Sequence, residues 1–152
     1  MNYFKKSLGQ NFLIDKNIVK KIINLIDIKN KNILEVGSGR GALTDEIIKK
    51  KPKSFLIIEK DFVLFKALKS KYSKLKNIEV LNCDILKLDI EKKIKKNTIV
   101  FGNLPYNISS QILIRFIKLK NSSSFTDLIF MFQKELGEKI ICEYPCSNYG
   151  RI

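Results

Sequence analysis

The chain has 152 residues, 45% of them hydrophobic, enough for one domain with a packed core and too apolar for a disordered polymer. Twenty-nine basic residues against fifteen acidic give a net charge of +14, and the absence of histidine excludes histidine triads, histidine metal sites and a histidine general base. No apolar run approaches the roughly 20 residues that span a bilayer, and Cys83, Cys142 and Cys146 are too few and too irregularly spaced for a disulfide framework or a zinc site.

In chain order, Asp15 can cap a helix running to about Asp27, because Ile18, Val19, Ile22, Ile23 and Ile26 share one helical face. Asn32 to Val36 reads as a buried strand that runs into a glycine loop, and Ala42 to Lys50 as the helix after it. Pro52 stops that helix, and Phe55 to Glu59 is a second apolar strand. Asp61 caps a helix reaching about Tyr72, and Ile78 to Leu81 is a third strand. Ile90 to Ile94 reads as a short charged helix or turn. Thr98 to Phe101 is a fourth strand ending at Gly102, Ser109 to Leu119 a helix, and Asn121 to Ser124 a loop. Leu128 to Phe132 is a fifth strand, followed by a helix through about Ile141. Strands alternating with helices imply an α/β fold with a parallel sheet.

A pI near 9.7 draws the chain towards polyanions, of which nucleic acid is the usual one. Only Arg40, Arg115 and Arg151 are arginines, and a lysine-rich, Asn- and Ile-rich composition is also what an AT-rich coding sequence produces. The run Lys49 to Lys53 is most simply a solvated turn, although it can also touch phosphate. An odd number of cysteines points to reduced thiols. No segment has a signal peptide's order, and motifs that begin at Gly9 leave no room for a presequence, so a cytoplasmic protein is expected.

Glu35-Val36-Gly37-Ser38-Gly39-Arg40-Gly41 ends a strand and opens a helix, where glycines let the backbone approach a ligand closely. Glu59, at the end of the next strand, can accept hydrogen bonds from both hydroxyls of a ribose. Asp84, just past the third strand, can accept from an adenine amino group. The pattern Gly37-x-Gly39-x-x-Ala42 also suits NAD. Two features tilt it away: Glu35 precedes the loop, where it can help hold an amino-bearing ligand, and no hydride-acceptor site or catalytic base is evident. The plainer role for Glu59 and Asp84 is to cap the segments that follow them.

Asn103-Leu104-Pro105-Tyr106 follows the fourth strand, at the edge where open α/β sheets bind ligands. The adenine amino group is a poor nucleophile, because its lone pair is delocalised into the ring. A site that activates it should accept hydrogen bonds from the N6 hydrogens, and the Asn103 side-chain oxygen and Leu104 carbonyl can be those acceptors. Pro105 fixes the local φ, and Tyr106 offers a face on which an extruded base can stack, worth roughly 1–3 kcal/mol. Alone, the tetrapeptide could equally be an ordinary strand-to-helix turn.

With these motifs in order, the chain resembles the ribosomal RNA adenine dimethyltransferases, specifically the bacterial KsgA type. Gly9-Gln10-Asn11-Phe12-Leu13 looks like that family's N-terminal motif, Glu35 to Thr44 like its cofactor loop, and Ile58-Glu59-Lys60-Asp61 like its ribose-binding motif. Phe101 to Ser109 is close to its catalytic signature, and Gln133-Lys134-Glu135 and Tyr149-Gly150-Arg151 complete the order. The resemblance implies a Rossmann-like class I methyltransferase fold over residues 1–152, forming an S-adenosylmethionine-binding catalytic domain. It implies cofactor contacts from Gln10, Asn11, Leu13, Gly37, Glu59, Asp84 and Asn103, with Tyr106 beside the target base; the residues themselves add Glu35 and Gly39 to the cofactor site and Leu104 and Pro105 to the catalytic turn. It further implies a metal-free monomer that dimethylates two adjacent adenines near the 3′ end of small-subunit rRNA in an assembling ribosomal particle.

Three departures stand out. Ser38 occupies a position where the KsgA type often has proline, a serine shared with macrolide-resistance methyltransferases of large-subunit rRNA. Leu136-Gly137-Glu138-Lys139 is less basic and aromatic than usual, and Gly137 weakens its helix by about 1 kcal/mol. Family members also continue past the position of Ile152 with further strands and a small helical domain, so the resemblance implies a fragment. The alternatives are a macrolide-resistance enzyme and a non-catalytic nucleic-acid or assembly factor on the same fold; intact Asn103 and Tyr106 argue against the second.

Overall fold

The computed structural model describes residues 15–119 and 125–143. The motif Gly9 to Leu13, the loop Asn121 to Ser124 and the segment Tyr149 to Arg151 lie outside the described residues. Five helices and five strands alternate, except that no helix lies between β3 and β4: α1 (Lys16–Ile23), β1 (Asn32–Val36), α2 (Ala42–Lys49), β2 (Ser54–Glu59), α3 (Phe62–Lys71) and β3 (Ile78–Asn82) come first. β4 (Thr98–Asn103), α4 (Ser109–Lys118), β5 (Phe125–Met131) and α5 (Lys134–Ile141) complete the described chain.

Local chemistry sets most of these boundaries. The Asp15 carboxylate accepts from the amides of Asn17 and Ile18 and so starts α1, and Asp61 does the same for α3 through Val63 and Leu64. α1 stops at Ile23 instead of continuing to Asp27: the Asn24 amide is shared between Lys20 and Lys21 and the Leu25 amide turns to Ile22, three-residue bonds that tighten and end the last turn. Ile26 still packs on the core from the connection that follows. Ile90 to Ile94 forms a single turn, closed by the Lys93 and Ile94 amides on the Ile90 carbonyl, and not a helix. β5 begins at Phe125, earlier than periodicity predicts, because that residue already pairs with Thr98.

All five strands are parallel, in the order β3-β2-β1-β4-β5. The chain builds outward from β1 to β3 and then returns to the other side of β1. The carboxyl ends of β1 and β4 therefore flank a topological switch point, where open α/β sheets leave a crevice. β4 runs two residues further than its apolar core suggests, since Gly102 pairs with Val36 and Asn103 with Met131. The ladder thus holds Asn103 as the last residue of a central strand.

Alternation along the strands divides the core into two layers. Ile33, Phe55, Ile57, Ile99 and Phe101 pack with Val19 and Ile23 of α1, Leu43 and Ile47 of α2, and Leu68 of α3. Leu34, Val36, Ile58 and Val100 face the other way, against Ile85, Ile90, Leu104 and the α4 residues Ile112 and Phe116. Burial of each such side chain contributes about 1.5–3 kcal/mol. The central strands are covered on both faces, which explains why they read as continuous apolar runs.

Cys83 is a free thiol. Among the described residues no helix is long and apolar enough to cross a membrane, and no group of three potential ligands could hold a metal ion.

Candidate active site

The loop after β1 turns on three glycines with positive φ, Gly37, Gly39 and Gly41. Gly41 has a further reason to lack a side chain, and Gly37 marks what lies opposite the loop. A Cβ on Gly41 would lie 2.7 Å from the Tyr72 hydroxyl and 3.1 Å from Leu68 Cδ2, so α2 can start there only on glycine. A Cβ on Gly37 would reach within 3.5 Å of the Asn103 carbonyl oxygen and 3.9 Å of Pro105 Cδ. The glycine loop and the Asn103-Pro105 turn, far apart in sequence, therefore face each other across the switch point.

Glu59 fastens that loop. Its Oε2 accepts from the Gly39 amide and its Oε1 from the Asp61 amide, each at 2.8 Å. Burial pushes its carboxyl above the ordinary value, and those two amides oppose the shift by stabilising the charged form. Each carboxylate oxygen keeps a further lone pair for a ligand. Asn82, at the end of β3, donates to the backbone carbonyls of Glu59 (2.9 Å) and Lys60 (3.1 Å) and fixes where β2 ends.

Asp84 accepts from the Leu86 amide at 3.0 Å and pairs with the Lys60 ammonium at 2.9 Å. The lysine holds its carboxyl below the usual range. Glu35 is fully enclosed, and its carboxyl accepts from the Thr44 hydroxyl at 2.6 Å. Burial pushes it up to about 8, the Thr44 bond opposing and nearby Glu59 adding to the shift. It is therefore protonated at neutral pH, and the bond to Thr44 joins the end of β1 to α2 beneath the glycine loop.

At the end of β4 the tetrapeptide divides its side chains. Leu104 is buried in the layer beside α4, whereas Tyr106 stands at the rim, 42% exposed. The Ile108 amide donates to the Pro105 carbonyl and the Ser109 hydroxyl to the Tyr106 carbonyl, each at 3.2 Å, so the turn is closed before α4 begins. Gly102 makes this arrangement possible. A Cβ there would lie 2.7 Å from Leu104 Cδ2 and 3.2 Å from the Val36 carbonyl oxygen.

The structure thus brings Glu35, Gly37, Gly39, Glu59, Asp84 and Asn103 to Tyr106 to one edge of the sheet. Gln10, Asn11 and Leu13 lie outside the described residues. Sequence reasoning gave no role of their own to Thr44, Lys60, Asn82, Gly102 and Arg115. Arg115 donates from Nη1 to the Leu86 carbonyl at 2.5 Å and from Nη2 to the Leu88 carbonyl, tying the segment after Asp84 to the helix that follows Tyr106. Only Asn82 and Lys60 carried a readable signal, as polar neighbours of the two acids at strand ends.

These residues suit a ligand that offers hydroxyl and amino hydrogens, as a nucleoside does. Carboxylates end neighbouring strands, an open glycine loop lies beside them, and the buried Ser38 hydroxyl within that loop has no partner among the described residues. A parallel sheet of this order, with an acid after β2 and an Asn-Leu-Pro-Tyr turn after β4, has the Rossmann-like architecture of the methyltransferases it superposes on. The family model for ribosomal RNA adenine dimethylase matches residues 1–152, and the chain belongs to that family. It is 48% identical over 149 residues to a ribosomal RNA small subunit methyltransferase A from Pelagibacter ubique, covering 97% of this chain and 56% of the relative. The chain thus spans about half the length of the curated relatives it matches. A dimethyladenosine transferase from Plasmodium falciparum superposes with a TM-score of 0.78 at 30% identity, over 91% of this chain and 49% of that one. The 23S rRNA methyltransferase ErmE does so with a TM-score of 0.73 at 28% identity, over 85% of this chain and 50% of that one.

Proposed function

We infer that residues 1–152 form the S-adenosylmethionine-binding catalytic domain of an enzyme that methylates N6 of adenines in small-subunit rRNA. Two adjacent adenines near its 3′ end, dimethylated in the cytoplasm during ribosome assembly, are the substrate this reading favours. The observation that carries it is the approach of Gly37 to Asn103 and Pro105, which sets a cofactor loop directly against an amino-acceptor turn. The family and the small-subunit relatives support the rRNA target.

When bound, S-adenosylmethionine supplies an electrophilic methyl group on a sulfonium centre. Glu59 would accept from the ribose hydroxyls with the lone pairs that Gly39 and Asp61 leave open. Asp84 would accept from the cofactor's adenine amino group, exchanging part of its pairing with Lys60. Gly37, Gly39 and the Ser38 hydroxyl would line the path between, and Gln10, Asn11 and Leu13 would cover the ligand. Glu35, protonated and bonded to Thr44, positions the loop from below and acts as no base at the rim.

The target adenine would stack on Tyr106, whose exposure suits an extruded base. The Asn103 side-chain oxygen and the Leu104 carbonyl would accept its N6 hydrogens and localise the lone pair on nitrogen. Orientation then supplies most of the acceleration. An alkylated amino nitrogen is acidic enough to lose its proton to water, so a chain without histidine suffices.

Asn103→Ala is expected to lower methyl transfer at least a hundredfold with little change in melting temperature, as removal of a transition-state contact should. Near-normal turnover would defeat the role given to Asn103. Labelled methyl transfer to isolated small-subunit particles, with large-subunit particles as the comparison, tests the target. Labelling of the large subunit instead would favour the macrolide-resistance reading, to which Ser38 also points.

A further inference from the structure

Because the strands are parallel, every turn that enters β1, β2, β3 and β4 lies at the amino edge of the sheet, opposite the crevice. Those turns, residues 29–31, 49–53, 74–76 and 92–96, together hold twelve lysines and no acid. The sequence scatters this charge over the chain, and the topology gathers it on one edge. The carboxyl edge, by contrast, carries Glu35, Glu59 and Asp84.

The amino edge is also built and not merely charged. The turns are laced by their own backbone: the Lys53 amide donates to the Lys31 carbonyl (2.8 Å) and the Asn30 amide to the Lys51 carbonyl (3.1 Å). Asn32 Nδ2 reaches the Lys96 carbonyl at 3.1 Å, and Asn77 Nδ2 reaches the Pro52 carbonyl at 2.9 Å. Between them lies a cleft of about 220 Å³, whose rim includes Lys53, Lys76, Lys93 and Lys95 and whose single carboxylate is Glu79. All four lysines are exposed, and none forms an ion pair among the described residues.

We propose that this amino edge is a docking surface for the phosphate backbone of structured RNA, separate from the stretch that presents the target adenine. It rests on the RNA-substrate reading above. The two edges are separated by strands of five or six residues, or about 17–20 Å. A nucleotide held at Tyr106 cannot also neutralise the lysines at the far end, so the RNA must fold back along the sheet or present a second helix. Backbone recognition of this kind reads the shape of an RNA helix and carries no sequence information.

The test is a comparison of variants by fluorescence anisotropy, with a folded hairpin transcribed from the 3′ end of small-subunit rRNA as probe. The variant Lys53→Gln/Lys76→Gln/Lys93→Gln/Lys95→Gln is expected to lose at least tenfold in affinity near 0.1 M salt. Its slope of log affinity against log salt should fall by about 3, as loss of four phosphate contacts requires. A control with the same net charge, Lys16→Gln/Lys66→Gln/Lys69→Gln/Lys134→Gln, removes exposed lysines from helices and should lose less than about threefold with its slope kept. Both variants should keep S-adenosylmethionine binding by calorimetry. If the fourfold variant fails to fold, Lys93→Gln/Lys95→Gln, confined to one turn, should show about half the change in slope. Equal losses in the two fourfold variants would assign the effect to net charge and overturn the proposal, as would an unchanged slope at the amino edge. Methyl transfer by the unaltered chain reads the function independently. A chain that methylates small-subunit rRNA but ignores these lysines keeps the function and loses the surface. A chain that fails to bind the hairpin loses both.

Discussion

The two edges of the sheet solve the same backbone problem with different residues. Six described residues have a clearly left-handed φ, three at each edge. At the carboxyl edge all three are glycines, Gly37, Gly39 and Gly41; at the amino edge they are Asn30, Lys51 and Asn97. The conformation is similar, with φ between 55° and 84°, so backbone strain alone does not decide the residue. What decides is what comes close. Tyr72 and Leu68 crowd the glycine loop at Gly41, whereas the amino-edge turns project their side chains into solvent. Lys51 even takes the left-handed position after α2, its amide bonded to the Ile48 carbonyl, where a helix usually places glycine. One edge is shaped for close approach, and the other for display of charge.

Three substitutions test that contrast. The largest effect is expected from Glu35→Gln, beneath the glycine loop. Burial raises the folded carboxyl from its ordinary 4.5 to about 8, so the native state holds a proton that the unfolded chain releases. The stability this contributes is complete below about 4.5 and is lost as pH rises towards 8. Glutamine keeps an acceptor for Thr44 and removes the titration. Urea midpoints should then fall less steeply with pH across that window, Glu59 keeping its own dependence, and at its upper end the variant should exceed wild type by on the order of 4 kcal/mol. A wild-type profile that does not fall over this range would contradict the burial of Glu35. Next, Gly41→Ala combines a strained φ with a collision at Tyr72 and should cost about 2–4 kcal/mol in thermal unfolding. A loss no larger than that of an amino-edge substitution would erase the distinction between the edges. The smallest is Lys51→Gly, which relieves the strained φ and gives up nothing that packs. A gain of about 0.5–1 kcal/mol is expected by differential scanning calorimetry. A loss there would show that the Lys51 side chain contributes to folding.

Much of the scaffold was legible because local chemistry set it. Asp15 and Asp61 announce their helices, and Asn32 to Val36 ends where the first glycine must begin. The end of β4 was not legible, because Gly102 and Asn103 owe their extended form to pairing with Val36 and Met131, which one strand's own sequence does not encode. Among the site residues, Glu59 and Asp84 were placed correctly at strand ends, but which groups they bond was not legible, even where Lys60 and Asn82 stood out as polar neighbours. The Gly39 amide, Lys60 and Thr44 meet their acids only after the chain has folded. Arg115 is the plainest instance. Within its helix it reads as one more surface cation, yet it anchors a segment that lies 27 to 29 residues earlier in the chain. Long-range pairing, and not propensity, accounts for what the sequence left unread.

The hydrogen bond from the Gly39 amide to Glu59 bears on affinity as well as on shape. A glycine-rich loop is among the most costly segments to immobilise, since glycine loses more conformational freedom than any other residue. Here that ordering is completed when the sheet assembles, by a carboxylate from the neighbouring strand. A ligand arriving at the crevice meets a loop that is already set, so its contacts need not be offset against the entropy of arranging it. The same acid that would select the ribose thus also determines how tightly anything else in the crevice can be held.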